Sequence, residues 1–170
     1  MATNTTSPPP LTHILETCVY VRDLRASSDF YQTALNIKPF LDSPRVAGFS
    51  LASNTMLLFE LGKTTKDAKI PGGVIPLHGP SQKILEQLRV PSSENEGDGE
   101  GKGRRESLRQ HFCFAVSSKE DVARWEEYLG SKDIKIVSEV NWDRGGRSIY
   151  FHDLDGHVVE IASRGVWPHY

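Results

Sequence analysis

The sequence lacks the features that mark nucleic-acid-binding, membrane or disulfide-rich proteins. Its 20 basic and 22 acidic residues give a formal charge of −2 over 170 residues, so no long-range field favours nucleic acid or an anionic membrane surface. No apolar run approaches the ~20 residues that cross a bilayer. Two cysteines are too few for a disulfide scaffold. We therefore expect a globular protein with neither nucleic acid nor membrane as a partner.

The first ten residues, MATNTTSPPP, contain no basic residue and no apolar stretch. A secretory signal needs both, and a mitochondrial transit peptide needs arginine, so we expect neither and predict a cytoplasmic location. Polar residues followed by three prolines are typical of a disordered arm, which we assign to residues 1–10.

A second segment, residues 92–108, is also poor in apolar residues. It reads SSENEGDGEGKGRRESL, with four glycines and no aromatic residue, and it cannot bury enough apolar surface to offset the entropy of ordering it. We interpret it as a flexible insertion within a connecting segment, 64–108. The rest of a single domain, 11–170, is thereby divided into two stretches of similar size, 11–63 and 109–167.

These two stretches repeat one pattern. Each opens with a short strand, ETCVYV at 16–21 and HFCFAV at 111–116, and each continues with a helical pattern and an extended segment. Each closes on an apolar strand with one carboxylate, MLLFEL at 56–61 and HVVEIA at 157–162. The same order found twice favours a tandem repeat, so we predict two βαβββ units in an α+β fold.

Aligning the opening strands places the polar side chains on one face. With Glu16 on His111, Cys18 falls on Cys113 without a gap. Because alternate side chains of a strand point to opposite faces, Glu16, Cys18 and Tyr20 share a face. His111 and Cys113 share the equivalent face of the second unit. The remaining, apolar positions are expected to pack on the helix of each unit, which leaves the polar set on a concave surface.

The repeated units resemble the vicinal oxygen chelate superfamily. The resemblance is carried by the opening ETCVYVRDLRASSDFY and the ending YFHDLDGHVVEIAS, and it covers residues 11–63 and 109–167. This group includes glyoxalase I, methylmalonyl-CoA epimerase, extradiol dioxygenases and bleomycin-resistance proteins. The resemblance implies curved mixed sheets around a cleft that takes a small-molecule substrate, and it implies a homodimer.

The resemblance also implies a divalent metal ion bound by the first and last strands of the units. The ligands carried over position by position are Glu16, His111, Glu160 and Glu60, although a slip in the alignment would put an apolar residue in place of Glu60. Many members have His where this chain has Glu16. Carboxylates that converge on one pocket require a cation or raised pKa values. Oxygen ligands with one imidazole suit Mn²⁺, Mg²⁺, Fe²⁺, Ni²⁺ or Zn²⁺ and do not select among them.

Five further residues are candidates for contact with the substrate. Arg147 and Tyr150 lead into the last hairpin, where an arginine could hold a carboxylate or phosphate with two hydrogen bonds. Tyr20, Cys18 and Cys113 belong to the predicted concave face. The cysteines have a plainer interpretation as small apolar residues that fill space.

The resemblance implies lyase or isomerase chemistry of the glyoxalase I type, with Glu160 or Glu60 moving a proton. Two alternatives stay open: an extradiol-type Fe²⁺ dioxygenase, which the Glu at position 16 disfavours, and a protein that sequesters a ligand without catalysis. The sequence does not decide whether one chain or two supply the ligands, and we expect the loops to determine the substrate.

Overall fold

The computed structural model describes residues 8–89 and 106–170. Residues 1–7 of the predicted arm and 92–105 of the predicted insertion lie outside the described residues. No helix among the described residues is both long and apolar enough to span a bilayer.

The first unit is a helix and a four-stranded sheet, in the predicted order. Its elements are β1 (Glu16–Val21), α1 (Leu24–Leu35), β2 (Leu41–Asp42), β3 (Val46–Leu51) and β4 (Asn54–Glu60). The sheet order is β1-β4-β3-β2, with β1 parallel to β4 and the other pairs antiparallel.

The second unit repeats this arrangement. Its elements are β7 (His111–Val116), α3 (Lys119–Gly130), β8 (Ile136–Asn141), β9 (Arg147–His152) and β10 (Val158–Ser163), in the sheet order β7-β10-β9-β8. The connecting segment contributes a small hairpin of β5 (Ala68–Ile70) and β6 (Gly73–Ile75), followed by α2 (Gln82–Arg89). The predicted α+β fold of two βαβββ units is therefore confirmed.

Local signals fix where the two main helices begin. Asp23 caps α1 by accepting a hydrogen bond from the Ala26 backbone N–H at 2.9 Å, and Ser118 caps α3 through the Asp121 N–H at 3.1 Å. Helix α1 ends at Asn36, which has a φ of 52°. Asparagine tolerates this left-handed conformation better than most residues, so the chain leaves the helix there.

The helix-facing sides of the two sheets share one hydrophobic core. Val19 of β1 and Ile149 of β9 are fully buried in it. Helix α1 reaches the second unit directly, since the Tyr31 ring lies 6.3 Å from that of Phe112 and the Phe30 ring lies 6.5 Å from that of Phe151. Both helices therefore lie on one side, and the other face of each sheet is left open.

The start of β7 contacts β1 at the junction between the two units. The Gln110 side chain, just before β7, accepts a hydrogen bond from the Tyr20 N–H at 2.9 Å and donates one to the Cys18 carbonyl at 3.2 Å. His157 Nδ1 accepts from the Gln110 N–H at 3.0 Å, and its Nε2 donates to the Tyr20 carbonyl at 2.9 Å. The start of β7 thus lies beside the end of β1, and the two open faces are neighbours.

The β9–β10 loop ties the second unit to the first. Asp153 accepts hydrogen bonds from the Tyr31 hydroxyl at 2.7 Å and from the backbone N–H groups of Asp155 and His157. Asp155 accepts from the Arg22 guanidinium at 2.9 Å. Both carboxylates are buried and fully used, so this loop holds the end of β1 and the start of α1 in place.

Candidate functional site

A buried carboxylate stands at the centre of the open face of the second sheet. Glu160 of β10 is only 6% exposed. Its Oε2 lies 3.2 Å from His111 Nε2, and its Oε1 accepts a hydrogen bond from the Tyr150 hydroxyl at 3.0 Å. The sheet order explains the cluster, because β10 lies between β7 and β9 and pairs Glu160 with both Cys113 and Tyr150. The His111 side chain is 51% exposed, so the pair is open to a ligand.

Two protonated groups surround this carboxylate. Desolvation, followed by the charge and hydrogen bonding of Glu160, raises the pKa of the Cys113 thiol to about 12. Desolvation, followed by the hydrogen bond to Glu160, raises the pKa of Tyr150 to about 12. Near neutral pH both therefore keep their protons, and the Tyr150 hydroxyl donates its hydrogen bond to Glu160. The structure thus brings together His111, Glu160, Tyr150 and Cys113 of the predicted site residues.

The first unit has no carboxylate at the position that corresponds to Glu160. Glu16 pairs with Thr55 as His111 pairs with Val158, so the residue that corresponds to Glu160 is Leu57. Glu60 lies three residues further along β4, and strand alternation places it on the opposite face from Leu57. Its carboxylate is 3.5 Å from the Lys63 ammonium. The alternative alignment, which puts an apolar residue in place of Glu60, is therefore the one found in the structure. Glu60 lies on the other face of the sheet, away from the His111–Glu160 pair.

Glu16 shares the open face but lies apart from His111. It begins β1, four residues before Tyr20, which corresponds to ~13 Å of extended strand. Tyr20 is the residue held beside Gln110 and the start of β7. Within residues 8–89 and 106–170, no three His, Cys, Asp or Glu side chains are grouped so that they could hold a metal ion. His111 and Glu160 therefore form a pair, and Glu16 is a third donor only after a movement.

Arg147 lies on the helix side of the second sheet. It is three residues from Tyr150 in β9, so strand alternation turns it away from the open face. Its guanidinium binds the carboxylates of Glu126 at 2.6 Å and Glu139 at 2.7 Å, and these hydrogen bonds raise its pKa. Arg147 thus belongs to an ion-pair network that joins α3, β8 and β9, and its contact with a substrate stays a prediction.

Tyr20 belongs to an aromatic cluster on the open face of the first sheet. Its hydroxyl lies 2.5 Å from His78 Nδ1, and its ring stacks on Phe59 with 6.0 Å between centroids. The His78 ring meets Phe59 edge-on at 4.9 Å. Sequence reasoning missed Phe59, although the alternation of β4 would have revealed it once the register was known. Burial and the nearby Glu16 charge raise the pKa of Cys18, which is half-buried beside this cluster.

The fold is shared with solved structures of known families. A lactoylglutathione lyase from Agrobacterium tumefaciens is similar at 25% identity and a TM-score of 0.71, over 94% of this chain and 99% of that one. A glyoxalase/bleomycin resistance protein/dioxygenase from Nocardioides is 22% identical with a TM-score of 0.57, over 96% and 91%. The oxidase ChaP-H2 is 16% identical with a TM-score of 0.53, over 90% and 94%.

No curated protein sequence is significantly similar to the chain. The family described as the glyoxalase/bleomycin resistance protein/dioxygenase superfamily matches residues 11–161, which is most of the chain. With the two βαβββ units and the open-face site in place, this match shows that the chain belongs to the glyoxalase/bleomycin resistance protein/dioxygenase superfamily.

Proposed function

We propose that the chain is a metal-dependent enzyme that carries out lyase or isomerase chemistry on a small substrate with two adjacent oxygens. His111 and Glu160 would bind the divalent ion, with Glu16 as the third ligand. Two comparisons support this function: family members typically use a divalent metal ion, and the similar structure from Agrobacterium tumefaciens is a lactoylglutathione lyase. The homodimer and the cytoplasmic location stay predictions.

The observation that carries the proposal is the arrangement of the His111 ring. Its Nδ1 lies 3.2 Å from the Val158 carbonyl oxygen, which can only accept a hydrogen bond, so Nδ1 carries a proton. In the neutral ring Nε2 then has a lone pair, and this lone pair faces the Glu160 carboxylate 3.2 Å away. Two facing electron-pair donors need a proton or a cation between them. A backbone carbonyl that holds the second ring nitrogen is also the usual support for a metal-binding histidine.

The donor set fits a hard or borderline divalent ion. An imidazole and a carboxylate are in contact, the Cys113 thiol is protonated near neutral pH, and Glu16 would add a second carboxylate only after a movement of β1 toward the pair. A bound ion in this place would act as a Lewis acid on the substrate oxygens. Leu57 supplies no ligand, so positions remain for the substrate.

The side chains around the ion have separate roles. Glu160 is the carboxylate that accepts a proton from the carbon next to the substrate carbonyl and returns it to the neighbouring carbon. The Tyr150 hydroxyl donates to Oε1 of Glu160 and fixes its orientation. The low exposure of Glu160 limits its contact with water, and this favours proton transfer to the substrate over exchange with solvent.

A second candidate function is ligand sequestration without a metal ion. It is favoured by one observation, that the described residues hold only two of the four predicted ligands, His111 and Glu160, in contact. In that case the His111 ring would be protonated, and the pair would be a local ion pair in a binding cleft.

Metal content tests the proposal. The protein is purified without chelator or nickel affinity resin, and metals are measured by elemental analysis in wild type, Glu160→Gln and His111→Gln. Glu60→Gln is the matched control, since Glu60 is a strand glutamate away from the site. We expect about one divalent ion per chain in wild type and Glu60→Gln, and loss in the other two. No ion in wild type after addition of Mn²⁺, Fe²⁺, Ni²⁺ and Zn²⁺ would favour sequestration. Iron with oxygen uptake on catechols would favour dioxygenase chemistry.

A further inference from the structure

The open face of the first sheet carries aromatic residues where the second has alanines. Tyr20 pairs with Phe59 across β1 and β4, and the corresponding pair across β7 and β10 is Ala115 with Ala162. Leu57 takes the place of Glu160. The first unit therefore has an apolar surface with two aromatic rings on its open face. The second unit has two alanines and Glu160 at the corresponding positions.

A third ring covers a glycine on the same surface. Gly48 pairs with Leu57, as Tyr150 pairs with Glu160. A Cβ atom on Gly48 would stand 3.1 Å from Cζ of Phe40, so the Phe40 ring lies over this glycine on the open face. Phe40 is 64% exposed. A large ring that is held in place over Gly48 and is mostly exposed is available for contact with a ligand.

The connecting segment holds the aromatic rings in position. The backbone N–H of His78 donates to the Thr64 carbonyl at 3.1 Å, and the Thr64 hydroxyl donates to the His78 carbonyl at 2.5 Å. Gly79 follows with a φ of 89°, and a Cβ there would lie 2.5 Å from the Tyr20 ring. Only glycine permits this close approach. The loop is thus built against Tyr20, and its His78 fixes the Tyr20 hydroxyl.

This aromatic surface and the His111–Glu160 pair lie on the outward faces of the two sheets, on either side of the junction between β1 and β7. Gln110, which directly precedes His111, binds the backbone of Tyr20 on the edge of β1. The side chains of Tyr20 and His111 both point away from the shared core. A molecule whose oxygens reach the pair can therefore extend its remaining atoms toward the first unit.

We propose that Tyr20, Phe40 and Phe59 form a subsite for the apolar, planar group of the substrate, so that the enzyme selects aryl-substituted compounds with two adjacent oxygens. Stacked and edge-on contacts between rings, together with burial of apolar area, provide this preference. The inference rests on the proposed function for the position of the oxygens. It does not depend on the metal ion.

Two neutral diols test the subsite by binding alone. The probes are 1-phenyl-1,2-ethanediol and 1,2-propanediol, which share two adjacent hydroxyls and differ in a phenyl or methyl group. Neutral probes avoid repulsion by the Glu160 carboxylate. Binding is measured by NMR titration of the full chain, once after dialysis against chelator and once after addition of Zn²⁺, which is diamagnetic. We expect the phenyl compound to bind at least ~10-fold more tightly in both conditions.

Three variants locate the effect. Phe59→Leu keeps an apolar side chain without a ring, and the exposed Phe40→Ala does not threaten the fold. Each is expected to reduce the preference for the phenyl compound by ~5-fold or more and to leave the methyl compound unchanged. Trp167→Ala is the control, because it removes an exposed ring of the C-terminal segment and should change neither affinity.

The outcomes separate this inference from the proposed function. Equal affinities for the two diols, no binding of either at millimolar concentration, or a preference that both ring variants keep would overturn the subsite, whatever the metal content. A phenyl preference lost in the ring variants of a chain that binds no metal would support the subsite while the proposed function fails.

Discussion

The two units have the same strand order and opposite chemistry on their open faces. The second unit presents His111, Tyr150 and Glu160, whereas the corresponding positions of the first hold Glu16, Gly48 and Leu57. The helix-facing positions are apolar in both units and meet in one core. Burial constrains those positions to similar residues, while the open face is free to differ. The site is therefore one-sided, with polar chemistry in one unit and aromatic surface in the other.

The loops that end the two sheets differ as well. In the first unit Ala52 and Ser53 form a tight turn between β3 and β4. In the second unit the longer segment Asp153–His157 joins β9 and β10 and reaches across to Tyr31 and Arg22. The second unit thus provides the carboxylates that stabilise the junction, and the first unit provides the hydroxyl and guanidinium groups that donate hydrogen bonds to them.

Removing the carboxylate of the second unit has the largest expected effect. Glu160→Gln should lower turnover by ~10²-fold or more, because the proposed general base and metal ligand are the same carboxylate and are lost together. Turnover is measured with the hemithioacetal of methylglyoxal and glutathione. Glu60 lies outside the site, so the turnover of Glu60→Gln should remain within about twofold of that of wild type. Equal loss in both variants would mean that the register of β4 does not determine which carboxylate acts.

Breaking the junction loop is expected to reduce stability strongly. Asp153→Ala leaves the Tyr31 hydroxyl and two backbone N–H groups without their acceptor, and should cost ~2–4 kcal/mol in the free energy of unfolding. Ser53→Ala in the corresponding turn should cost less than ~0.5 kcal/mol. Urea denaturation measures both. Similar costs would show that the loop of the second unit is not the fastening element.

Adding the missing carboxylate would make the units more alike. Leu57→Glu places a carboxylate at the position that corresponds to Glu160, and should tighten the binding of Mn²⁺ by ~10-fold. Titration of Mn²⁺ followed by electron paramagnetic resonance gives the affinity, and Leu57→Gln controls for the change in shape. An affinity unchanged by the glutamate would place the bound ion outside the region between the two sheets.

The smallest expected effect appears in alkaline solution. Burial, followed by the charges of Asp153 and Asp155, raises the pKa of Tyr31 far above its ordinary value near 10. The unfolded chain therefore releases this proton above pH ~10 while the folded chain retains it, and stability falls there by up to ~1.4 kcal/mol per pH unit. Below pH ~10 the effect is absent. Unfolding free energies at pH 8–11 should show a steeper fall in wild type than in Tyr31→Phe, and parallel curves would contradict the assignment.

The sequence predicted the repeat because both units keep the same order and the same spacing up to their helices. Aligning Glu16 with His111 was correct in register, as their pairing partners show. The position of Glu60 was not predictable from the sequence. The loops before the last strands of the two units differ in length, so the sequence did not determine which residue of β4 aligns with Glu160. Arg147 could have been assigned to the helix side from the sequence, because it lies three residues before Tyr150 and residues an odd number apart in a strand point to opposite faces.

The aromatic surface of the first sheet depends on contacts that a sequence pattern does not contain. His78 reaches Tyr20 only because the connecting segment folds back through Thr64. The Phe40 ring reaches the open face because Gly48 leaves room for it. Both are consequences of tertiary packing between segments that lie far from each other along the chain or on neighbouring strands.

The most direct test of this account is the position of a bound ion. Crystals of the protein grown with Mn²⁺ and measured at the manganese absorption edge give an anomalous peak at each ion. The account predicts one peak within ~2.0–2.3 Å of both His111 Nε2 and a Glu160 carboxylate oxygen. A strong peak elsewhere, or none at this pair at full Mn²⁺ loading, would contradict the claim that the second unit holds the metal.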